Sequence, residues 1–299
     1  MTTVEKIAYQ GWPNCLKISN AKVELIVTTD VGPRIIHFSP KGGENMLYIN
    51  PAEAGMTGDS KFHSYGGHRL WHAPEEFVRT YAADNFPVQV EQFEDGARLT
   101  ADIESNGVQK TVEIRMAKDA PKVNVIHTIT NCSAWPVPLA VWAITVMDGG
   151  GKLVVPHPDK IGHAQRLTPT HALALWGYTK MNDPRWIWGD KYYMLRQDSS
   201  FNYAQKAGSY NPKGWAAYWL KNNLFVKKFP YDPNVVYPDF NCNFETYTDQ
   251  VMLEVESLSP MIQIEPGASA QHMEEWFLYE GVKEVNCDAD VDAHILPLI

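Results

Sequence analysis

The sequence has little of what marks several large protein classes. Its four cysteines, Cys15, Cys132, Cys242 and Cys287, lie far apart with no CxxC pair. That spacing gives neither a zinc signature nor a dense disulfide framework, so four buried thiols are expected. Lysine and arginine number 26 against 35 aspartates and glutamates, a net charge of −9, and no basic run occurs. Phosphate neutralisation needs clustered cations, so a nucleic-acid partner is excluded. The longest apolar stretch, residues 138–147, covers ten residues, about half of the ~20 that span a bilayer. No membrane partner is expected. The opening Met-Thr-Thr-Val-Glu-Lys has neither a basic n-region nor an apolar h-region, which makes the cytoplasm the expected location and leaves a secreted mature form open. Asn131-Cys132-Ser133 spells a glycosylation sequon with no export signal beside it.

What is present describes an all-β chain. Hydrophobic residues make up 44% and charged residues 20% of the 299 positions, enough to build a core. A period of two recurs at residues 21–28, 88–92, 97–103, 111–116, 122–130, 251–256 and 274–279, which predicts strands. Asp95-Gly96, Asn106-Gly107, Gly149-Gly150-Gly151 and Pro266-Gly267 punctuate these runs as turns. The rhythm is that of antiparallel strands, without the helices of a βαβ pattern. No linker or internal repeat divides the chain, so residues 1–299 are expected to form one domain. Residues 173–239 are the least strand-like, dense in Trp, Tyr, Pro and Asn, and are expected to form long loops over one face.

Ten tryptophans and 14 tyrosines, many beside polar residues, offer flat apolar faces with polar edges. Sugars present C–H faces and hydroxyl rims that match them, although large rings also fill β cores. The densest cluster of chemistry is His63-Ser64-Tyr65-Gly66-Gly67-His68-Arg69-Leu70-Trp71-His72-Ala73-Pro74-Glu75. If extended, it puts His68 and His72 on one face and Arg69 and Trp71 on the other. A second cluster sets Glu254 and Glu256 on one side of a strand, with Asn243, Glu245 and Tyr247 aligned on a neighbouring stretch. Carboxylates among apolar residues are costly unless solvated, paired or bound, which makes them site candidates. His63, His68 and His72 with a glutamate offer a weaker alternative, an N/O site for zinc or copper, although the spacing matches no metal motif. There is no GxSxG, and Gly149-Gly150-Gly151 is not followed by the Lys-Ser/Thr of a phosphate loop. No cofactor is expected.

Several motifs, taken in order, resemble the galactose mutarotase-like (aldose 1-epimerase) superfamily. Val31-Gly32-Pro33-Arg34-Ile35-Ile36 is similar to its early Gly-x-Arg-Ile strand, and Tyr65-Gly66-Gly67-His68 to its His-Gly-Gly neighbourhood. Val251-Met252-Leu253-Glu254 resembles the late strand that bears the catalytic glutamate, and Ile264-Glu265-Pro266-Gly267 with Glu274-Glu275-Trp276 the closing strands. The resemblance spans nearly the whole chain and points to an uncharacterised branch. It implies an antiparallel β-supersandwich with a sugar site on the face of a large sheet. It also implies a glutamate that deprotonates the anomeric hydroxyl and a histidine that protonates the ring oxygen. By position Glu254 would be the base. Trp142 stands about where the family's acid histidine falls, so the acid is assigned to His68 or His72. Arg34, Arg69, Trp71, Trp142, Lys206, Glu245 and Glu256 are the expected substrate contacts. The resulting expectation is anomer interconversion on a small-molecule or oligosaccharide substrate. The alternatives are non-catalytic carbohydrate binding, or metal-assisted lyase or oxidative chemistry by the histidines. Oligomeric state is not legible.

Overall fold

A computed structural model describes residues 1–299. Twenty-one strands form two antiparallel sheets, one of eleven and one of ten. The middle of the first sheet runs, in spatial order, Arg34–Pro40, His68–Ala73, Val137–Asp148, Met252–Leu258, Phe244–Thr248 and Gln205–Ser209. The middle of the second runs Asn223–Lys228, Ser269–Glu280, Lys122–Asn131 and Val108–Met116. Strands distant in sequence become neighbours: Val137–Asp148 pairs with both His68–Ala73 and Met252–Leu258.

A cluster of 41 buried apolar residues fills the space between the sheets, Leu70, Val141, Leu253 and Val255 from the first meeting Val112, Ile114 and Trp276 from the second. Side chains alternate across a strand, so the residues between these project from the far side of the first sheet. There they form a separate apolar cluster around Trp71, Trp142, Ile144, Val146 and Met252. That outer face is where the site lies.

Each of the seven expected strands is present. Residues 173–239 depart from the expectation of loops, because six strands run through them. Tyr192–Arg196, Gln205–Ser209 and Trp215–Leu220 are buried almost throughout. A strand covered on both faces carries no polar alternation to reveal it. Two thiols also depart from expectation, since Cys132 and Cys287 are exposed while Cys15 and Cys242 are buried. The sequon asparagine is buried and its Nδ2 donates to the carbonyls of Trp135 and Ile264, leaving it closed to a glycan. No helix is long and apolar enough to cross a membrane.

Candidate functional site

Register gathers the outer-face residues. Trp142 lies opposite Trp71, Ile144 opposite Glu256, and Val146 opposite Glu254. Glu245 in turn faces Glu256, Tyr247 faces Glu254, and Lys206 faces Tyr247. Residues directly opposed in an antiparallel pair share a face, with Cβ atoms about 5 Å apart. Five strands therefore bring Arg69, Trp71, Trp142, Glu254, Glu256, Glu245 and Lys206 together.

Two ionic centres result. Arg69 donates from Nη2 to Glu254 Oε1 at 2.9 Å, and its guanidinium lies 4.4 Å from the Trp71 ring. Lys206 Nζ lies 4.6 Å from the rings of both Trp142 and Trp176. Carboxylate oxygens of Glu245, Glu256 and Glu75 surround it at 3.2, 3.8 and 3.9 Å. Trp142 Nε1 donates to Glu256 Oε2 at 2.8 Å. Burial alone would lower the lysine pKa, but the carboxylates of Glu256, Glu245 and Glu75 outweigh it and hold the ammonium charged well above the ordinary range. Burial pushes Glu256 up to about 7 against the pull of Lys206, with the Glu254 charge adding to the rise. Glu245 is pushed well above the carboxylate range, by burial first and by Glu256 as well.

The groove over these residues has two lobes. An inner lobe of about 250 Å³ is lined by Arg69, Trp71, Trp142, Lys206, Tyr247 and Glu254 among others. An outer lobe of about 490 Å³ reaches Trp176, Asp239 and Glu245. Glu75, Tyr81, Trp142 and Tyr178 line both, so the lobes are continuous. A separate cavity of about 540 Å³ lies around His157 and Lys213. Its lysines are already paired, Lys160 with Asp190, Lys191 with Asp292 and Lys213 with Asp159. It offers no comparable convergence of free polar groups.

Four sequence-predicted residues fall elsewhere. His68 and His72 face the interior between the sheets, opposite Thr145 and Val141, and neither lines a lobe. The cause is the alternation that puts Arg69 and Trp71 outward; with those facing Glu254, the histidines must face away. An acid role for either beside Glu254 is thereby corrected. Burial pushes His72 down to about 3. His63 is held by Asp59 at 2.8 Å and Glu53 at 3.0 Å. His68 and His72 stand four residues apart on an extended strand, about 13 Å, so the three imidazoles form no shared metal site. Arg34 lies opposite Arg69 but spends its donors on Gly66 O at 2.7 Å and Asp84 at 2.6 Å. It is a structural cation outside the groove.

The interior holds a polar network instead. His127 Nδ1 donates to the His272 carbonyl at 3.0 Å, which leaves its Nε2 as acceptor for His68 Nε2–H at 2.7 Å. His68 Nδ1 then accepts from the Thr145 hydroxyl at 2.8 Å. Ser257 donates to Glu274 and accepts from His272 Nε2. Glu274 also receives Lys227 at 2.8 Å and Trp276 Nε1 at 2.7 Å. Ligand atoms of His68, His127 and Glu274 lie within 4.8 Å of one another. Both imidazole nitrogens facing each other are already bonded, and Lys227 supplies the positive charge, so this trio fits a hydrogen-bonded core and does not fit a metal centre.

Sequence reasoning missed Trp176, Tyr178 and Tyr81, which cover the lobes. Their signal was the aromatic density after residue 173 and the segment following Glu75, both legible as composition but not as position.

No protein-family model and no curated protein sequence matches the chain. Solved structures do. A galactose mutarotase-like protein from Lactobacillus casei aligns over 89% of this chain and 100% of its own at a TM-score of 0.59 and 11% identity. A second, from Clostridium acetobutylicum, aligns over 94% and 98% at a TM-score of 0.55 and 10% identity. A TPR-domain containing protein from Parabacteroides distasonis aligns over 96% of this chain at a TM-score of 0.58 and 12% identity. The chain spans about half of that protein, 54%. The fold is thus galactose mutarotase-like, an antiparallel β-sandwich of the kind the sequence motifs implied.

Proposed function

We propose that the groove binds a sugar and interconverts its anomers, with Glu254 as base and Lys206 as proton donor. The observation that carries the reading is an ion-paired carboxylate and a charged ammonium opening on the same inner lobe beside the Trp142 ring. Glu254 takes the proton of the anomeric hydroxyl, and the electron pair of that O–H bond forms the carbonyl at C1. The bond from C1 to the ring oxygen breaks, and the ring oxygen takes a proton from the Lys206 ammonium. After rotation about C1–C2 the steps reverse, each group recovering its starting state. Arg69 orients Glu254 through its 2.9 Å bond. Glu245 and Glu256 hold Lys206 charged and in place, so they position the donor and take no part in the transfer itself.

Two further points support a sugar. The groove sets indole faces beside hydrogen-bonding edges, and the matched folds include proteins described as galactose mutarotase-like. The test is exchange NMR between anomers across a panel of neutral aldoses. At least one should interconvert faster with the protein, and Glu254→Gln should remove about 10² to 10⁴ of that acceleration. If no aldose responds and Glu254→Gln changes nothing, the reading is wrong.

One observation favours a second reading, non-catalytic carbohydrate recognition: no imidazole lines either lobe. Calorimetric sugar binding that survives Glu254→Gln, with anomer exchange at the uncatalysed rate, would establish it in place of the first.

A further inference from the structure

The outer lobe differs from the inner one in composition. Four of its ten lining residues are carboxylates, Glu75, Glu76, Asp239 and Glu245; five are aromatic, Trp142 and Trp176 among them; the tenth is a proline. None is cationic. Arg69 and Lys206 line the inner lobe instead, Arg69 bonded to Glu254 and Lys206 ringed by three carboxylates. Within the outer lobe itself, a phosphate or carboxylate group on a ligand would meet four acidic side chains and no cationic one.

Glu245 supplies the independent sign of a missing partner. It is fully buried, it lines the lobe, its ionised carboxyl oxygens have no hydrogen-bond donor, and the Asp239 side chain beside it is a second acid that, after burial, raises its pKa further. The Lys206 ammonium lies 3.2 Å from Oε2 but off the direction that a hydrogen bond requires. Leaving a buried polar group unmatched is unfavourable by roughly 1–3 kcal/mol unless something arrives to match it. The adjoining inner lobe shows what that something looks like, since Lys206 there places an ammonium beside the Trp142 and Trp176 rings and among carboxylates. Aromatic faces attract cations through the ring quadrupole, and nearby carboxylates add to that attraction.

We propose that the outer lobe is a subsite for an ammonium group, so that the sugar taken by the groove carries a free amine, as an aminodeoxy sugar does. The ammonium sits against Trp176 and Tyr178, donating to Glu245 and to the rim carboxylate of Asp239, while the anomeric carbon reaches the inner lobe. Anionic sugars are turned away by the same charges. The choice of a sugar rests on the function proposed above; the choice of a cation does not.

The test is calorimetric binding, at low salt and at a pH where the amine is charged, of glucosamine, galactosamine and mannosamine against their N-acetyl forms and against glucose 6-phosphate. Cyclohexylammonium and cyclohexanol form a sugar-free pair. At least one hexosamine should bind about tenfold or more tightly than its acetamide, a preference worth about 1.4 kcal/mol. Glucose 6-phosphate should bind most weakly, and cyclohexylammonium should bind better than cyclohexanol. Glu245→Gln should erase most of the amine preference. Asp239→Asn, at the partly exposed rim, should reduce it without risk to folding. Acetamides that bind as well as amines, a preference untouched by both substitutions, or no binding by any amine would each overturn the subsite. Anomer exchange measured on the same samples keeps the two proposals apart. Catalysed exchange of neutral aldoses with no amine preference sinks only the subsite, whereas amine preference without catalysed exchange sinks only the anomerase reading.

Discussion

The two faces of the first sheet carry similar residues to different ends. Both are rich in buried polar groups, and both draw them from the same strands: His68 inward and Arg69 outward, Thr145 inward and Trp142 outward, Ser257 inward and Glu256 outward. On the inner face the protons can be assigned one by one, from Thr145 through His68 and His127 to the His272 carbonyl, and from His272 through Ser257 to Glu274. On the outer face Arg69 Nε and Nη1, Glu256 Oε1 and both oxygens of Glu245 have no hydrogen-bond partner. A buried network that satisfies itself is part of the scaffold, while one that leaves matched donors and acceptors open is arranged for a visitor. His72 is the exception indoors, buried with neither nitrogen bonded.

The contrast can be broken most forcefully at Lys227. Lys227→Ala leaves Glu274 as an uncompensated charge between the sheets and should cost about 3–5 kcal/mol of stability in chemical denaturation. Glu254→Gln should do the reverse, stripping about 10² to 10⁴ from anomer exchange while the denaturation midpoint moves far less. If Glu254→Gln unfolds the protein and Lys227→Ala does not, the assignment of scaffold and site to these faces is inverted.

Acid sharpens the comparison. Burial pushes His72 and His272 down to about 3 in the folded chain, below the ~6.5 of an unfolded histidine. As pH falls below ~6.5 the unfolded chain takes up protons that these folded imidazoles refuse, so stability should fall progressively toward pH 3. His72→Leu should flatten part of that limb in denaturation midpoints measured against pH, and should leave anomer exchange within about twofold because the imidazole touches no lobe. Glu256 on the outer face has the opposite sign. Its folded carboxyl titrates at about 7 against an ordinary 4.5, so the folded form keeps a proton that the unfolded chain sheds across that window. Stability from this group declines as pH rises through it, and the penalty is complete above 7. Glu256→Gln, the smallest of these effects, should therefore gain on the parent as pH passes from 4.5 to 7, and an unchanged gap would remove the buried protonated carboxyl from the account.

Alternation made the pairing of faces legible: His68 with His72, Arg69 with Trp71, Glu254 with Glu256. It could not say which face looks outward, because in a strand buried along its whole length both sets are covered; His68–Ala73 and Met252–Leu258 have no exposed residue. The late glutamate strand was found by motif. Lys206 was named, yet its place above Trp142 depends on the order in which Val137–Asp148, Met252–Leu258, Phe244–Thr248 and Gln205–Ser209 are laid side by side, which local pattern does not encode. Trp176 and Tyr178 reach the groove from a segment whose short strands lack any alternation.

The same period of two restricts how this chain can be altered by insertion or deletion. One residue added within Met252–Leu258 would exchange the places of Val255 and Glu256 along half the strand, driving an acid into the apolar interior and a valine into the groove. The rim has no such constraint, since Glu75 and Tyr178 stand on connecting segments that can lengthen or shorten at the surface, and Asp239 on the four-residue helical turn Pro238–Asn241 outside both sheets. Descendants of this sequence are therefore free to change what they grip at the edge far sooner than the carboxylates beneath.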